Sequence, residues 1–251
     1  MKNHFGAGRL LGGLVALAGL MMLGGCNRFP GQPRPEDRWV APSTITDFAT
    51  LYQTNCVACH SNGKPLTPAI AMNNPLYVAI IPRDTLRKVI SEGIQGSLMP
   101  AFEAGHNGDL TREQVDSLVN GITAWGKTDQ QPAAGGNLPP YAAAPGDAKR
   151  GEAAYGTYCA GCHNADGNGG PKGGSVVNPD YLHLVSDQYL RSVVIAGRPE
   201  LGMPNYQQLV PNKPMSPEEI SDVVAWLVSH RRAQNPEVAA AAPPGSQPPS
   251  Q

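Results

Sequence analysis

The chain has 251 residues, of which 29 are Gly and 25 are Pro, a loop-rich composition that excludes a bundle of long helices or a membrane channel. Nineteen Lys and Arg against twenty Asp and Glu leave a net charge of −1, so there is no basic footprint for nucleic acid and no acidic block of the disordered kind. Four Phe, three Trp and eight Tyr are few for the cores of two small domains, which points to a non-protein group filling part of them.

In chain order, Lys2 and Arg9 precede an apolar stretch from Leu10 to Leu23, closed by Leu23-Gly24-Gly25-Cys26. Fourteen apolar residues are short of the ~20 that span a bilayer, so residues 1–25 read as an export signal rather than a retained anchor. The ending resembles the lipobox of bacterial lipoproteins, and the resemblance implies that Cys26 is acylated and tethers the mature chain to a membrane surface. A Pro-rich spacer occupies 26–41.

Cys56-Val57-Ala58-Cys59-His60 and Cys159-Ala160-Gly161-Cys162-His163 both match C-x-x-C-H, the covalent c-type haem signature. Two thiols one turn apart suit the two vinyl groups of one porphyrin, and the adjacent imidazole suits its iron. A zinc site would need a further pair of ligands beside each motif. A thioredoxin-like motif would sit in a βαβ pattern that the sequence lacks.

The two halves repeat each other. Asn74-Pro75-Leu76-Tyr77 matches Asn178-Pro179-Asp180-Tyr181, Leu86-Arg87 matches Leu190-Arg191, Gly93 matches Gly197 and Met99-Pro100 matches Met203-Pro204. The repeated methionines are the candidates for the second axial ligand, Met99 39 residues after His60 and Met203 40 after His163. Met72, His106, His183 and Met215 compete for that role, but none has a counterpart in the other half. Thr111 to Gln114 and Ser216 to Glu219 read as capping boxes. Apolar stripes follow at Val115, Leu118, Val119, Ile122 and Trp125, and at Ile220, Val223, Val224 and Leu227, which predict helices packed on Leu51 and Tyr52 and on Ala154 and Tyr155.

Both halves resemble class I c-type cytochromes, and the resemblance implies an all-α fold of two tandem domains, 42–128 and 147–232; composition marks a Pro/Gly/Ala-rich linker at 129–146 between them and a disordered tail at 233–251. It also implies two covalent c-type haems, held by Cys56, Cys59, His60 and Met99 and by Cys159, Cys162, His163 and Met203. The family often places glycine four residues before the N-terminal helix aromatic. Gly151 before Tyr155 fits, Phe48 before Tyr52 does not, and the C-terminal helix aromatic falls at Trp226 but at Gly121. Arg87 and Arg191 suit either haem propionates or a solvated helix face.

The function implied is single-electron transfer on the periplasmic side of a bacterial membrane, with no catalytic residue. By resemblance, partners are a quinol-oxidising complex and a terminal oxidase or reaction centre in a respiratory or photosynthetic chain, met as a carrier or a complex subunit. The alternatives are the cytochrome subunit of a periplasmic dehydrogenase and a dihaem peroxidase-type enzyme.

Overall fold

The computed structural model describes residues 34, 37–60, 69–125 and 138–233; Cys26, the export signal and the tail after 233 lie outside them. The chain divides into two compact units, 1–44 and 45–251. In the first, the described residues hold a 3₁₀ turn at Pro42–Thr44 closed by the Thr44 hydroxyl on the Ala41 carbonyl at 2.7 Å, with Trp39 and Val40 exposed before it.

The second unit is all-α. Helix α1 (Phe48–Asn55) starts where Asp47 accepts the Thr50 N–H at 2.8 Å. Next come α2 (Pro75–Ile80), α3 (Arg83–Glu92) and α4 (Arg112–Trp125). The later half repeats the order with α5 (Ala148–Tyr158), a single turn α6 (Ala160–His163), α7 (Pro179–Leu184), α8 (Asp187–Ala196) and α9 (Pro217–Ala233). Among the described residues there is no strand, and no helix is long and apolar enough to cross a membrane.

Both capping boxes form as their sequences require. The Thr111 N–H donates to Gln114 Oε1 at 2.9 Å while the Gln114 N–H donates to Thr111 Oγ1 at 3.3 Å; Ser216 and Glu219 make the same exchange at 2.8 and 3.1 Å. The predicted stripes are buried except for the half-buried Trp125 and Val224, with Val115, Leu118, Val119 and Ile122 facing Leu51 and Tyr52 in one core. In the other core Ile220, Val223 and Leu227 pack with Ala154 and Tyr155.

The repeated Asn-Pro pairs open short helices. Asn74 caps α2 by accepting the Leu76 and Tyr77 N–H groups at 3.0 and 3.1 Å, and Asn178 caps α7 by accepting that of Tyr181 at 3.0 Å. Proline follows at the first helical position, where its missing N–H costs nothing. Helix α2 serves both halves, because Leu76 and Ile80 enter the later half's core and Tyr77 touches both cores. Part of the segment expected to be linker is structural, since Pro139 is fully buried and Tyr141 packs against both cores.

Arg191 is not a solvated helix charge. It is buried, with Nε and Nη2 donating to the Pro140 carbonyl at 3.1 and 2.9 Å, Nε also reaching the Tyr141 carbonyl at 3.1 Å, and Nη1 donating to Ser221 Oγ at 3.0 Å. Its repeat partner Arg87 instead pairs with Asp116 on α4.

Candidate functional site

Each C-x-x-C-H run sits where a helix runs out. The Cys56 N–H still reaches the Tyr52 carbonyl at 2.9 Å, and that of Cys159 reaches Tyr155 at 2.8 Å. One further turn follows: the His60 N–H bonds the Cys56 carbonyl at 2.8 Å and the His163 N–H bonds that of Cys159 at 3.0 Å. This turn gathers two thiols and an imidazole within five residues. The four described cysteines are free thiols; Cys59 and Cys162 are exposed, while burial first, and then the neighbouring cysteine, pushes Cys56 and Cys159 up to about 12. Cys56 and Cys159 are therefore neutral at ordinary pH, and neither pair forms a disulfide.

The histidines are oriented by backbone. His60 Nδ1 lies 2.8 Å from the Ile70 carbonyl, and His163 Nδ1 lies 2.6 Å from the Gly174 carbonyl. A carbonyl oxygen only accepts, so Nδ1 carries the proton in both rings and the Nε2 lone pair is left for a metal. Burial, with a further contribution from the Arg198 guanidinium, holds His60 below its ordinary value and keeps it neutral, as ligation requires. Gly173 lies against the His163 ring, where an added Cβ would come within 2.7 Å of Cε1.

Two tyrosines lock the motifs from behind. Tyr52 donates its hydroxyl to the His60 carbonyl, and Tyr155 donates to the carbonyls of Asn164 at 2.8 Å and His163 at 3.3 Å. Burial is the main cause that raises both phenols, Tyr155 to about 12, so they remain donors throughout the physiological range. The sequence marks these residues as helix aromatics and leaves their hydroxyls without a role.

Met99 and Met203 occupy matching corners and are half-buried. Helix α3 is capped by Gly93 and α8 by Gly197, both with φ of +71°, a conformation that favours glycine. A Cβ on Gly93 would lie 2.6 Å from Pro100 C, and one on Gly197 would lie 2.7 Å from Pro204 C, so each Met-Pro corner packs directly on its helix end. The Ile94 N–H donates to the Met99 carbonyl at 3.0 Å, and Arg198 and Met203 exchange two backbone bonds at 2.9 and 3.0 Å.

The competing residues are placed differently. Met72 and Met215 are buried core side chains, His106 lies on an exposed turn, and the exposed His183 bonds the Pro179 carbonyl through Nδ1 at 2.7 Å. Among the described residues no cluster of three or more His, Cys, Asp or Glu forms a metal site. The residues present fit a covalently attached iron porphyrin: each half offers two thiols one turn apart and an imidazole with its Nε2 lone pair available.

The family model described as cytochrome c oxidase, cbb3-type, subunit III matches the chain twice, at residues 43–120 and 146–227, which are the two repeated halves. No curated protein matches the chain significantly.

Proposed function

The chain belongs to the c-type cytochrome family described as cytochrome c oxidase, cbb3-type, subunit III, with two tandem cytochrome c domains, and from that premise we propose that it is a membrane-tethered dihaem electron carrier or electron-transfer subunit. Cytochrome c domains imply electron transfer through covalently bound haem. When bound, each haem supplies a one-electron Fe(III)/Fe(II) couple.

In this reading Cys56 and Cys59 would hold the first haem through thioethers, and His60 Nε2 and the Met99 sulfur would ligate its iron. Cys159, Cys162, His163 and Met203 would do the same for the second. The backbone carbonyls of Ile70 and Gly174 orient the imidazoles and raise their basicity as ligands. A neutral thioether favours the reduced form and sets comparatively high potentials. If a histidine and a methionine both ligate each iron, a substrate would find no free position there, which would favour a carrier over a peroxidase-type enzyme.

An acylated Cys26 places the chain on the periplasmic side of a bacterial membrane. Its donor is a quinol-oxidising complex and its acceptor a terminal oxidase or reaction centre. A net charge of −1 supports apolar docking or permanent membership of a complex over electrostatic steering.

The single observation that carries the reading is the imidazole held by a backbone carbonyl in both halves behind a C-x-x-C-H turn. The test is the visible and near-infrared spectrum of the oxidised and reduced holoprotein with pyridine haemochrome quantitation. Two haems per chain and a methionine-to-iron band that loses about half its intensity in Met99→Ala and again in Met203→Ala are expected, one ligand being removed each time. One haem per chain, or a resting high-spin component that binds carbon monoxide, would overturn it.

A further inference from the structure

Helix α8 ends at Ala196, whose carbonyl is one of the last four of the helix and so has no N–H partner within it. Ala196 is buried, with 3 % of its surface exposed. The donor comes from the other half: Asn74, itself buried, uses Oδ1 to cap α2 and gives its Nδ2 hydrogen to the Ala196 carbonyl at 3.3 Å.

The chain then turns directly into the corner that carries Met203. Gly197 follows, close against the Met203 carbonyl, which an added Cβ would approach to 2.8 Å. Arg198 comes next and is bridged to Met203 in both directions. Asn74, Pro75, Met203, Pro204 and Asn205 also line one cleft of about 330 Å³, so the first half's α2 start and the second half's methionine corner face a common space. The repeat partner Asn178 caps α7 in the same way but is exposed.

We infer that Asn74 is a positioning residue for the second redox centre: a first-half side chain whose amide fixes the Ala196–Arg198 corner and thereby the Met203 sulfur, so that ligation in the second half depends on the docked first half. The inference rests on Met203 being an axial ligand. Its physical content is that a methionine on a loop stays on iron only while the loop's anchor is fixed, and here the anchor is a buried carbonyl satisfied from outside its own repeat.

The test is a spectroscopically resolved redox titration of the full-length holoprotein. Asn74→Asp keeps the cap, since a carboxylate accepts the Leu76 and Tyr77 N–H groups, but sets an acceptor against the Ala196 carbonyl. The expected result is a shift of roughly tenfold in the redox equilibrium of the second centre toward the oxidised form, with weakening of its methionine-to-iron band and no change at the first. Asn74→Ser, which caps without reaching Ala196, should give the same direction and keeps the test open if the aspartate variant misfolds. Asn178→Asp should move neither centre.

Met99→Ala and Met203→Ala assign the two potentials. If Met203→Ala leaves both potentials and the band unchanged, the ligation reading itself has failed. If Met203→Ala moves one potential but neither Asn74 variant moves that same one by more than about twofold, the bracing role alone is overturned. An equal shift at both centres overturns it as well, because it reports general loosening of the protein.

Discussion

The two halves solve one packing problem in opposite ways. In the second, α5 and α9 cross at Gly151, where an added Cβ would fall 2.0 Å from the Asp222 carbonyl oxygen, and Trp226 stacks on Tyr155 at 4.0 Å. In the first, the missing side chain is on the other helix: Gly121 of α4 receives the ring of Phe48 from α1, and a Cβ there would fall 2.1 Å from that ring. Phe48 and Tyr52 then meet Trp125 edge-on at 4.7 and 4.8 Å. Close approach needs one absent side chain at the crossing, and either helix can supply it. The departures at Phe48 and Gly121 are thus one reciprocal exchange rather than two defects.

The largest expected effect tests that exchange. Gly151→Ala meets backbone on α9 that cannot move without shifting the helix, and it should cost about 3 kcal/mol in denaturant unfolding of the holoprotein. Gly121→Ala meets first the ring of a half-exposed Phe48, which can swing outward, and alanine's helix propensity offsets part of the strain; a cost of about 1 kcal/mol is expected. Adding Phe48→Leu should recover most of that loss. Equal costs in the two halves would break the comparison.

A second asymmetry separates the short Asn-Pro helices. Leu76 of α2 is buried in the later half's core, whereas its repeat partner Asp180 of α7 is exposed; Ile80 is buried likewise, and its partner Leu184 is exposed. One copy of the helix is apolar where it docks and the other is polar or open there. Leu76→Asp should cost about 3 kcal/mol by losing leucine burial and placing a charge against the core. It should also split one unfolding transition into two as the halves separate. Asp180→Leu should change stability by less than about 0.5 kcal/mol. A single unsplit transition in Leu76→Asp would show that α2 does not couple the halves.

What the sequence made legible had a residue type and a spacing behind it: the C-x-x-C-H turns, the Thr111/Gln114 and Ser216/Glu219 boxes and the stripes of α4 and α9. The carbonyls of Ile70 and Gly174 were not legible, because any residue offers a carbonyl and only the fold decides which one faces an imidazole. Asn74-Pro75 and Asn178-Pro179 stood out as a repeat, yet the cap they make is a backbone event and the docking of one copy is a tertiary one. Arg191 read equally as a propionate partner or a solvated helix charge, because its actual partners, the Pro140 and Tyr141 carbonyls, lie in a segment whose composition says linker. Burying Pro139 and Tyr141 requires donors for the carbonyls around them, and a guanidinium with five N–H groups provides them.

The smallest expected effect concerns acid. At matching positions of the C-terminal helices stand Ser117 and Asp222, and they close the entries to α1 and α5. Ser117 donates its hydroxyl to the Thr46 carbonyl at 2.7 Å. Asp222 accepts the Asp147 N–H at 2.7 Å and the Arg150 guanidinium at 2.8 and 2.9 Å. Chiefly through the Arg150 hydrogen bonds, its carboxyl is held below the ordinary carboxylate range. The folded state therefore releases this proton more readily than the unfolded chain. The stabilisation is complete above the unfolded value of about 3.9 and is lost as pH falls through the folded value. Ser117 has no proton to gain, so acid below about pH 4 should weaken the Asp222 closure of α5 and leave the Ser117 bond to Thr46 unchanged. Because Arg150 is largely exposed, screening by water and salt limits the effect to no more than a few degrees in Tm. Asp222→Asn should remove this acid dependence, and a second half whose acid response is unchanged in that variant would place its weak point elsewhere.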